Sequence, residues 1–188
     1  RVLFVLGAAL SASVSLASFD LMFVQQVSQD SGGTFRMHRI DPTTGAYLGS
    51  FSSGPATMGM AASLSRGELY TCDINGNLRT WDYSQGTLKS VRNLGWGGVN
   101  DITLSADGSE IISSHTNGDV RIFNVLTSSV TGVTNVGFVG AKIAHATGNV
   151  YVAYSTAGHS LRRLLRSGIT FTHTSSEAVT PSITAGSV

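Results

Sequence analysis

The feature that most constrains the fold of this chain is a sequence pattern that returns after about forty residues. The segment LYTCDINGNLRTWDYSQGTLKS begins at Leu69, and the related segment IISSHTNGDVRIFNVLTSSVTG begins at Ile111. Matched positions lie 42 residues apart, so that Asn75-Gly76 corresponds to Asn117-Gly118. A fixed period of this length is typical of repeat proteins, in which each unit buries its apolar surface only against its neighbours.

The repeated units predict an all-β fold. Each contains short runs of alternating polar and apolar residues, separated by Gly, Asn, Asp or Ser, which is the pattern of strands and tight turns. The Asn-Gly pairs favour positive φ and therefore hairpins. No sustained apolar stripe with helical spacing is found. The predicted units are 21–54, 58–95, 99–137 and 139–176, with 179–188 as the opening strand of a fifth.

Four-stranded units of about forty residues in series are typical of β-propeller blades. A single blade cannot bury both faces of its sheet, so blades stack around a central axis. A ring of four blades would be unusually small, and an open series would expose a wide lateral face. The pattern therefore favours the N-terminal part of a ring of about six to eight blades, and a closed four-bladed ring is the alternative.

One segment resembles a known family closely. ITLSADGSEIISSHTNGDVRIFNV, beginning at Ile102, resembles the core of a WD-repeat blade, with Ser-Ala-Asp-Gly where the family has Ser-Pro-Asp-Gly. Residues 78–82 contain the Trp-Asp dipeptide, and Ile40-Asp41 stands in its position in the first unit, but no unit carries a Gly-His pair at the position where the family has it. Exported bacterial propellers of the YVTN and quinoprotein-like type are similarly degenerate. The resemblance covers 21–176 and implies a β-propeller fold, on which many unrelated activities occur.

The first seventeen residues have the layout of a secretory signal peptide. Arg1 precedes an apolar stretch, residues 2–16, which ends in the small-residue triplet 15–17. We therefore predict cleavage after Ala17 and a secreted or bacterial cell-envelope location. A buried first strand and a short membrane anchor are the alternatives, although the stretch is short and rich in Ser and Ala compared with the roughly 20 apolar residues of a span.

The charge distribution excludes some partners. The net charge is +1 and only 12% of residues are charged, so no basic surface of the kind that binds nucleic acid or anionic membranes is predicted. Arg162, Arg163 and Arg166 form the one basic cluster, which would be a solvated face or a dock for an acidic partner. Cys72 is the only cysteine, so it cannot form a disulfide within the chain, and we expect a small buried residue.

No catalytic motif is found. The sequence contains neither a Gly-x-Ser-x-Gly elbow, nor a phosphate-binding loop, nor a His-Glu-x-x-His pair. None of the five histidines has the short paired spacing of a zinc site; they are His38, His115, His145, His159 and His173. We predict no catalytic residues, no metal ligands and a non-enzymatic role. The alternative is a lactonase-like or quinoprotein-like enzyme with a metal or cofactor at the ring axis.

Several acidic residues allow a second interpretation, in which the chain binds calcium. They lie in or near predicted turns, where carboxylate and backbone oxygens converge on hard cations, and they are Asp30, Asp73, Asp101, Asp107 and Asp119. Asp-Gly and Asn-Gly pairs are also what tight hairpins require without an ion, and Asp107-Gly108 fits that explanation. No cofactor is predicted, and calcium stays open as the alternative.

The predicted architecture indicates where a ligand would bind. Loops between the second and third strands of each unit, and connections between units, meet at one end of a propeller. The candidate ligand-binding residues there are Asp73, Asn75, Trp96, Asn100, Asp101, His115, Asn117 and His159. Trp96 lies in a Gly-rich connection, where it could stack on a sugar or peptide side chain or fill the groove between two blades. We therefore predict a binding or surface scaffold with a protein or glycan ligand.

Overall fold

Antiparallel β-sheets follow one another along the chain. The computed structural model describes residues 21–25, 35–155 and 158–178. The predicted signal peptide and the predicted opening of a fifth unit lie outside these ranges. The described residues contain no helix, and hence none that is long and apolar enough to cross a membrane. The all-β prediction is confirmed for this part of the chain.

The described residues form four sheets, each a simple meander of neighbouring strands. The first contains β1 (Met22–Gln25), β2 (Phe35–Ile40) and β3 (Tyr47–Gly54). The second contains β4 (Thr57–Ser63), β5 (Glu68–Asp73), β6 (Asn77–Asp82) and β7 (Leu88–Asn93). The third contains β8 (Val99–Leu104), β9 (Glu110–His115), β10 (Asp119–Asn124) and β11 (Ser129–Asn135). The fourth contains β12 (Lys142–Thr147), β13 (Val150–Ser155), β14 (Ser160–Ser167) and β15 (Thr170–Ala178).

The first sheet has three strands among the described residues, where four were expected. Ile40 at the end of β2 corresponds to Trp81 in β6, because each precedes an Asp that begins the following turn. β1 and β2 therefore correspond to β5 and β6. No described residue corresponds to the inner strand β4.

Alternation along the strands sends apolar side chains to both faces of the inner sheets. In β10, Val120 and Ile122 pack towards the fourth sheet, while Phe123 packs towards the second. This is the alternation that the sequence predicts for this strand. A sheet with two buried faces cannot be stable alone, so the sheets stabilise one another at three junctions.

The three junctions are apolar clusters between successive sheets. At the first junction, the Trp81 ring lies 4.9 Å from the Phe51 ring, beside Met37 and Leu69. The second cluster contains Tyr70, Cys72, Leu78, Trp96, Val99, Ile102, Ile111 and Phe123. The third contains Ile112, Val120, Ile122, Ile143, Tyr151, Ala153, Leu164 and Phe171. Burial on this scale is the main stabilising contribution to such a fold, at about 25 cal/mol per Å² of apolar surface.

The Asn-Gly turns close the hairpins between second and third strands, as predicted. Gly76 and Gly118 have φ of 79° and 83°, a backbone conformation that favours glycine. At Gly76 a Cβ atom would also lie only 2.2 Å from the Trp96 carbonyl oxygen. Glycine is therefore required there both by conformation and by the close approach of the next connection.

Candidate functional site

Loops at one edge of the second and third sheets are bonded to one another. The Gly98 N–H donates to the Ile74 carbonyl oxygen at 2.8 Å, and the Thr116 N–H donates to the Gly98 carbonyl oxygen at 2.8 Å. The Leu94 N–H donates to the Gly76 carbonyl oxygen at 2.9 Å. The β5–β6 turn, the β7–β8 connection and the β9–β10 turn thus form one continuous surface. We call this surface, residues 74–76, 94–98 and 116–118, the loop edge.

Asp73 organises the β5–β6 turn beneath the loop edge. Its carboxylate accepts hydrogen bonds from the Asn75 and Asn77 N–H groups, both at 3.0 Å, and from Arg79 Nη1 at 3.1 Å. Burial raises the pKa of this carboxyl, but the hydrogen bonds from Asn77 and Arg79 outweigh burial and hold the pKa below its usual range. The side chain is 2% exposed, and these contacts give it the role of a turn anchor.

His115 occupies the position of Asp73 in the next unit and is completely buried. Its Nε2 lies 2.8 Å from Ser113 Oγ, and its Nδ1 lies 3.1 Å from the Gly97 carbonyl oxygen. Burial lowers the pKa of the imidazole, which favours the neutral ring that can donate to Gly97 and accept from Ser113. His115 therefore links its own strand to the connection between the second and third sheets.

Trp96 is 2% exposed and belongs to the apolar cluster of the second junction. Its ring contacts His115 edge-on at 5.6 Å and Phe123 at 6.4 Å. The prediction of an exposed ring that could stack on a ligand is wrong. Gly95 and Gly98, both with positive φ, turn the chain so that the indole enters the core. The alternative prediction, a side chain that fills the groove between two blades, describes its placement.

Asn100 and Asp101 lie on the inner strand β8 and bond to the next inner strand, β12, and to the connection that precedes it. Asn100 Nδ2 donates to the Gly140 carbonyl oxygen at 3.1 Å, and the Ile143 N–H donates to Asp101 Oδ2 at 3.1 Å. Lys142 Nζ lies 3.6 Å from Asp101 Oδ1 and donates to the Met58 carbonyl oxygen of β4 at 3.2 Å. Three inner strands therefore meet at this point.

Burial raises the pKa of Asp101 to about 6, although Lys142 opposes this effect. Sequence reasoning selected Asp101 as a candidate but missed Lys142 and the Met58 carbonyl. The repeat period could have identified this group. Met58, Asn100 and Lys142 are spaced by 42 residues and therefore occupy the same position of successive inner strands.

The remaining candidates point to solvent. Asn75, Asn117 and His159 are exposed at the tips of their turns. Asn117 Nδ2 donates to Asp119 Oδ2 at 2.9 Å, and His159 Nδ1 lies 3.0 Å from the Tyr154 hydroxyl. Of the eight candidates, these three have side chains positioned to meet a partner, whereas the others are engaged in the core, in turns or between sheets.

The acidic residues of the calcium interpretation are dispersed. Within the described ranges, no three His, Cys, Asp or Glu side chains are grouped so that they could hold a metal ion, and Asp30 lies outside those ranges. Asp107 accepts hydrogen bonds from Ser105 Oγ at 2.7 Å and from the Ser109 N–H at 3.0 Å. The bond from Ser105 contributes most to lowering the pKa of Asp107 to about 2.

The basic cluster predicted in the fourth unit is divided between two faces of β14. Arg166 faces the third sheet, where Nη1 lies 2.6 Å from Glu110 Oε2. Arg162 lies 5.3 Å from the centre of the Phe138 ring. Arg163 is exposed on the opposite face, because neighbouring side chains alternate in a strand. The prediction of one basic patch is wrong for that reason.

Cys72 has no exposed surface, and burial raises the pKa of its thiol to about 12. The thiolate form is therefore suppressed at neutral pH, as expected of a small buried residue.

In the unit that contains the Trp-Asp dipeptide, Trp81 Nε1 donates a hydrogen bond to Thr71 Oγ1 at 2.9 Å. This bond joins β6 to the neighbouring strand β5.

Comparison with known proteins supports the fold. No protein-family model matches this sequence, and no curated protein matches it. Among solved structures, the chain is similar to U3-55K (TM-score 0.60, 13% identity, 77% of this chain and 45% of that one). It is also similar to the RRP9 WD40 repeats (TM-score 0.60, 13% identity, 77% and 44%). The fold is that of β-propeller blades.

A third solved structure is a hydrazine synthase from Kuenenia stuttgartiensis, which matches with TM-score 0.62, 11% identity, 86% of this chain and 47% of that one. This chain thus spans less than half the length of each of these structures. At these identities the similarity shows the fold alone. The predicted β-propeller fold is confirmed, and the sheets of the described residues form part of a ring.

Proposed function

We propose that this propeller is a non-enzymatic binding scaffold that presents the loop edge to a protein partner. The observation that carries the proposal is that three loops are fixed to one another by backbone hydrogen bonds while their tips face solvent. Ile74 is 47% exposed at one tip, beside Asn75, and Asn117 is exposed at another. An apolar side chain beside amides on a rigid support suits a protein surface better than a sugar. A glycan is the other ligand class.

Site-directed photo-crosslinking tests this proposal. A benzophenone side chain is introduced at Asn75 or at Asn117, and the protein is irradiated in an extract of its source cells. Ala106, which is exposed in the β8–β9 turn at the opposite edge of the third sheet, is the control position. Both loop-edge positions should crosslink to the same protein, and position 106 should not. Equal labelling at all three positions would contradict the proposal.

We also propose that further blades complete the ring beyond the fourth sheet. Leu161 of β14 corresponds to Leu78 and Val120, which are each 3% exposed, but Leu161 is 41% exposed. The free face of the fourth sheet therefore has the apolar residues of a junction, and a following four-stranded sheet is the occupant that fits. Sequencing the encoding gene beyond Val188 should reveal further units of about forty residues. A gene without them would contradict this proposal.

Export to the cell envelope is proposed on the apolar leader and the low charge. The test is N-terminal sequencing of the native protein from its cellular fractions. A mature chain beginning at Ser18 in the envelope or medium is the expected result. Native protein in the cytoplasm with residues 1–17 intact would contradict export.

The enzyme alternative is supported by one observation, the Asp101 carboxylate, 13% exposed, at the contact of three inner strands. A metal or cofactor at the ring axis would need such a group, together with others from further blades. Calcium is the ion that the sequence leaves open, and a thermal melt with and without calcium distinguishes the two functions. A saturable rise in Tm with calcium would favour the enzyme, because a ligand that binds only the native state stabilises it. A constant Tm would favour the scaffold.

A further inference from the structure

The second and third junctions differ at one matched location near their outer strands. At the third junction, Glu110 pairs with Arg166 of the next sheet at 2.6 Å. A Cβ atom on Gly132 of β11 would lie 2.4 Å from the Ile169 carbonyl oxygen, and the neighbouring Ile122 is fully buried. The sheets therefore close against each other here and leave no room for a ligand.

The matched residues of the second junction leave a groove. Glu68 corresponds to Glu110, but Val125 stands in the position of Arg166, so the ion pair across the junction is missing. Thr80 and Ser90, which pair in the β6–β7 ladder, replace Ile122 and Gly132. The result is an open groove of about 180 Å³ between the second and third sheets. Its lining includes hydroxyl groups where the third junction has apolar contact.

Cations line this groove, which we call the junction groove. Arg66 Nε lies 2.9 Å from Glu68 Oε2, and Lys89 Nζ lies 3.7 Å from Glu68 Oε1 and 3.9 Å from Asp82 Oδ2. The carboxylates of Glu68 and Asp82, both in the second sheet, therefore balance the charges of Arg66 and Lys89. The Tyr70 hydroxyl also donates to Glu68, and burial raises the pKa of Tyr70 to about 12. Tyr70 thus remains a neutral donor at the floor of the groove.

Arg92 is the cation that these carboxylates do not reach. Its guanidinium lies 5.9 Å from the centre of the Phe123 ring, and Nη1 donates to the Ser128 carbonyl oxygen at 3.2 Å. Within the described part of the chain, no carboxylate forms an ion pair with it. These two contacts hold the guanidinium across the groove while it keeps further N–H donors, which suit a planar or tetrahedral oxyanion.

We propose that the junction groove binds an oxyanion, a carboxylate or a phosphate, through Arg92, with the hydroxyl groups of Thr80 and Ser90 as supporting donors. The third junction has no such groove, because the Glu110–Arg166 ion pair and apolar contacts fill the matched location there. An acidic side chain of a partner and a phosphate ester present the same oxygen chemistry. Site and ligand are independent of the loop edge.

The test uses two probes on the full chain. A capped hexaglutamate peptide and inorganic phosphate are titrated separately, and backbone amide NMR shifts are followed at low and physiological salt. Saturable shifts should appear at Ser90, Arg92 and Ser128. Saturation by both probes indicates a general oxyanion site, and saturation by one alone identifies a carboxylate or a phosphate ligand.

Three variants decide whether the groove itself is responsible. Arg92→Met should weaken binding about tenfold, the effect of losing one charge-assisted contact. Thr80→Ile introduces the residue found at the closed junction without changing any charge, and it should abolish the shifts because its side chain fills the groove. Arg163→Met, which removes an exposed cation from the fourth sheet, should change the affinity less than about twofold.

The result that would overturn the proposal is equally specific. Equal weakening by Arg92→Met and Arg163→Met would mean nonspecific attraction to net positive charge. Unchanged binding in Thr80→Ile, or no saturable shift with either probe, would also overturn it. The dispersion of the amide spectrum reports whether each variant is folded, so that loss of binding is not confused with unfolding.

Discussion

Asp101 is a carboxylate held where three inner strands meet, and its ionisation opposes folding. Burial raises its pKa in the folded chain to about 6, whereas an unfolded Asp has a pKa of about 3.9. The folded state therefore binds this proton more tightly. Stability from this group is complete below the unfolded pKa and is lost as pH rises from about 4 to about 6.

Asp101→Asn should consequently change the pH dependence of unfolding. The amide can still accept the Ile143 N–H but carries no charge. Relative to the parent protein, the variant should gain about 3 kcal/mol between pH 4 and pH 7, which corresponds to a shift of about 2 pKa units. Urea unfolding of both proteins at four pH values measures this difference. A constant difference across the pH range would show that Asp101 does not titrate in this way.

Trp81 and Thr71 are a second pair whose contribution can be isolated. Trp81→Phe removes the donor and leaves the Thr71 hydroxyl, which has no exposed surface, without this partner. The variant should lose about 3 kcal/mol of stability, from lost packing and from the unpaired hydroxyl. Adding Thr71→Val should cost nothing further, and a double-mutant cycle in urea measures the coupling. Strictly additive losses would show that the bond contributes nothing.

At the scale of the elements, the turns join one sheet to the next. Gly76→Ala and Gly95→Ala form a matched pair, because both glycines have positive φ, 79° and 67°. A Cβ atom at Gly76 would meet the Trp96 backbone, whereas at Gly95 it would meet nothing within 4 Å.

Gly95→Ala should therefore cost about 1 kcal/mol, the strain of a left-handed alanine. Gly76→Ala should cost at least about 2 kcal/mol more, since the backbone of the β7–β8 connection must move. Thermal or urea unfolding of the two variants provides the comparison. Equal losses would mean that the connection moves freely.

The strands and hairpins could be predicted because their signals are local. Alternation and Asn-Gly pairs act within ten residues, so β10 and the turn at Gly118 follow from the sequence. The environment of Trp96 could not be predicted, since nothing near it indicates which side the indole takes. The junction groove depends on differences between residues 42 positions apart, such as Val125 against Arg166, and on how two sheets meet. Such differences become interpretable only when the register is known.

At the scale of the whole molecule, stability is a sum over junctions between neighbours. Leu69 at the first junction and Leu164 at the third are equally buried, 1% and 0% exposed. Replacing either with Ala should cost about 2–5 kcal/mol, but the effect should remain local. Leu164→Ala should accelerate amide hydrogen exchange in the fourth sheet far more than in the first, and Leu69→Ala should do the reverse. Uniform acceleration in both variants would indicate one cooperative unit.

The exposed face of the fourth sheet makes the two ends of the row of sheets chemically different. It differs from the opposite end of the row of sheets, where Tyr47 is 61% exposed beside His38. When two different surfaces associate head to tail, the copies form a closed ring only if the rotation between neighbouring copies brings the last onto the first. Otherwise they form an open filament. When these four sheets are produced without a covering blade, the viscosity of the solution should rise steeply with protein concentration. Light scattering should then report a growing polymer rather than a defined oligomer.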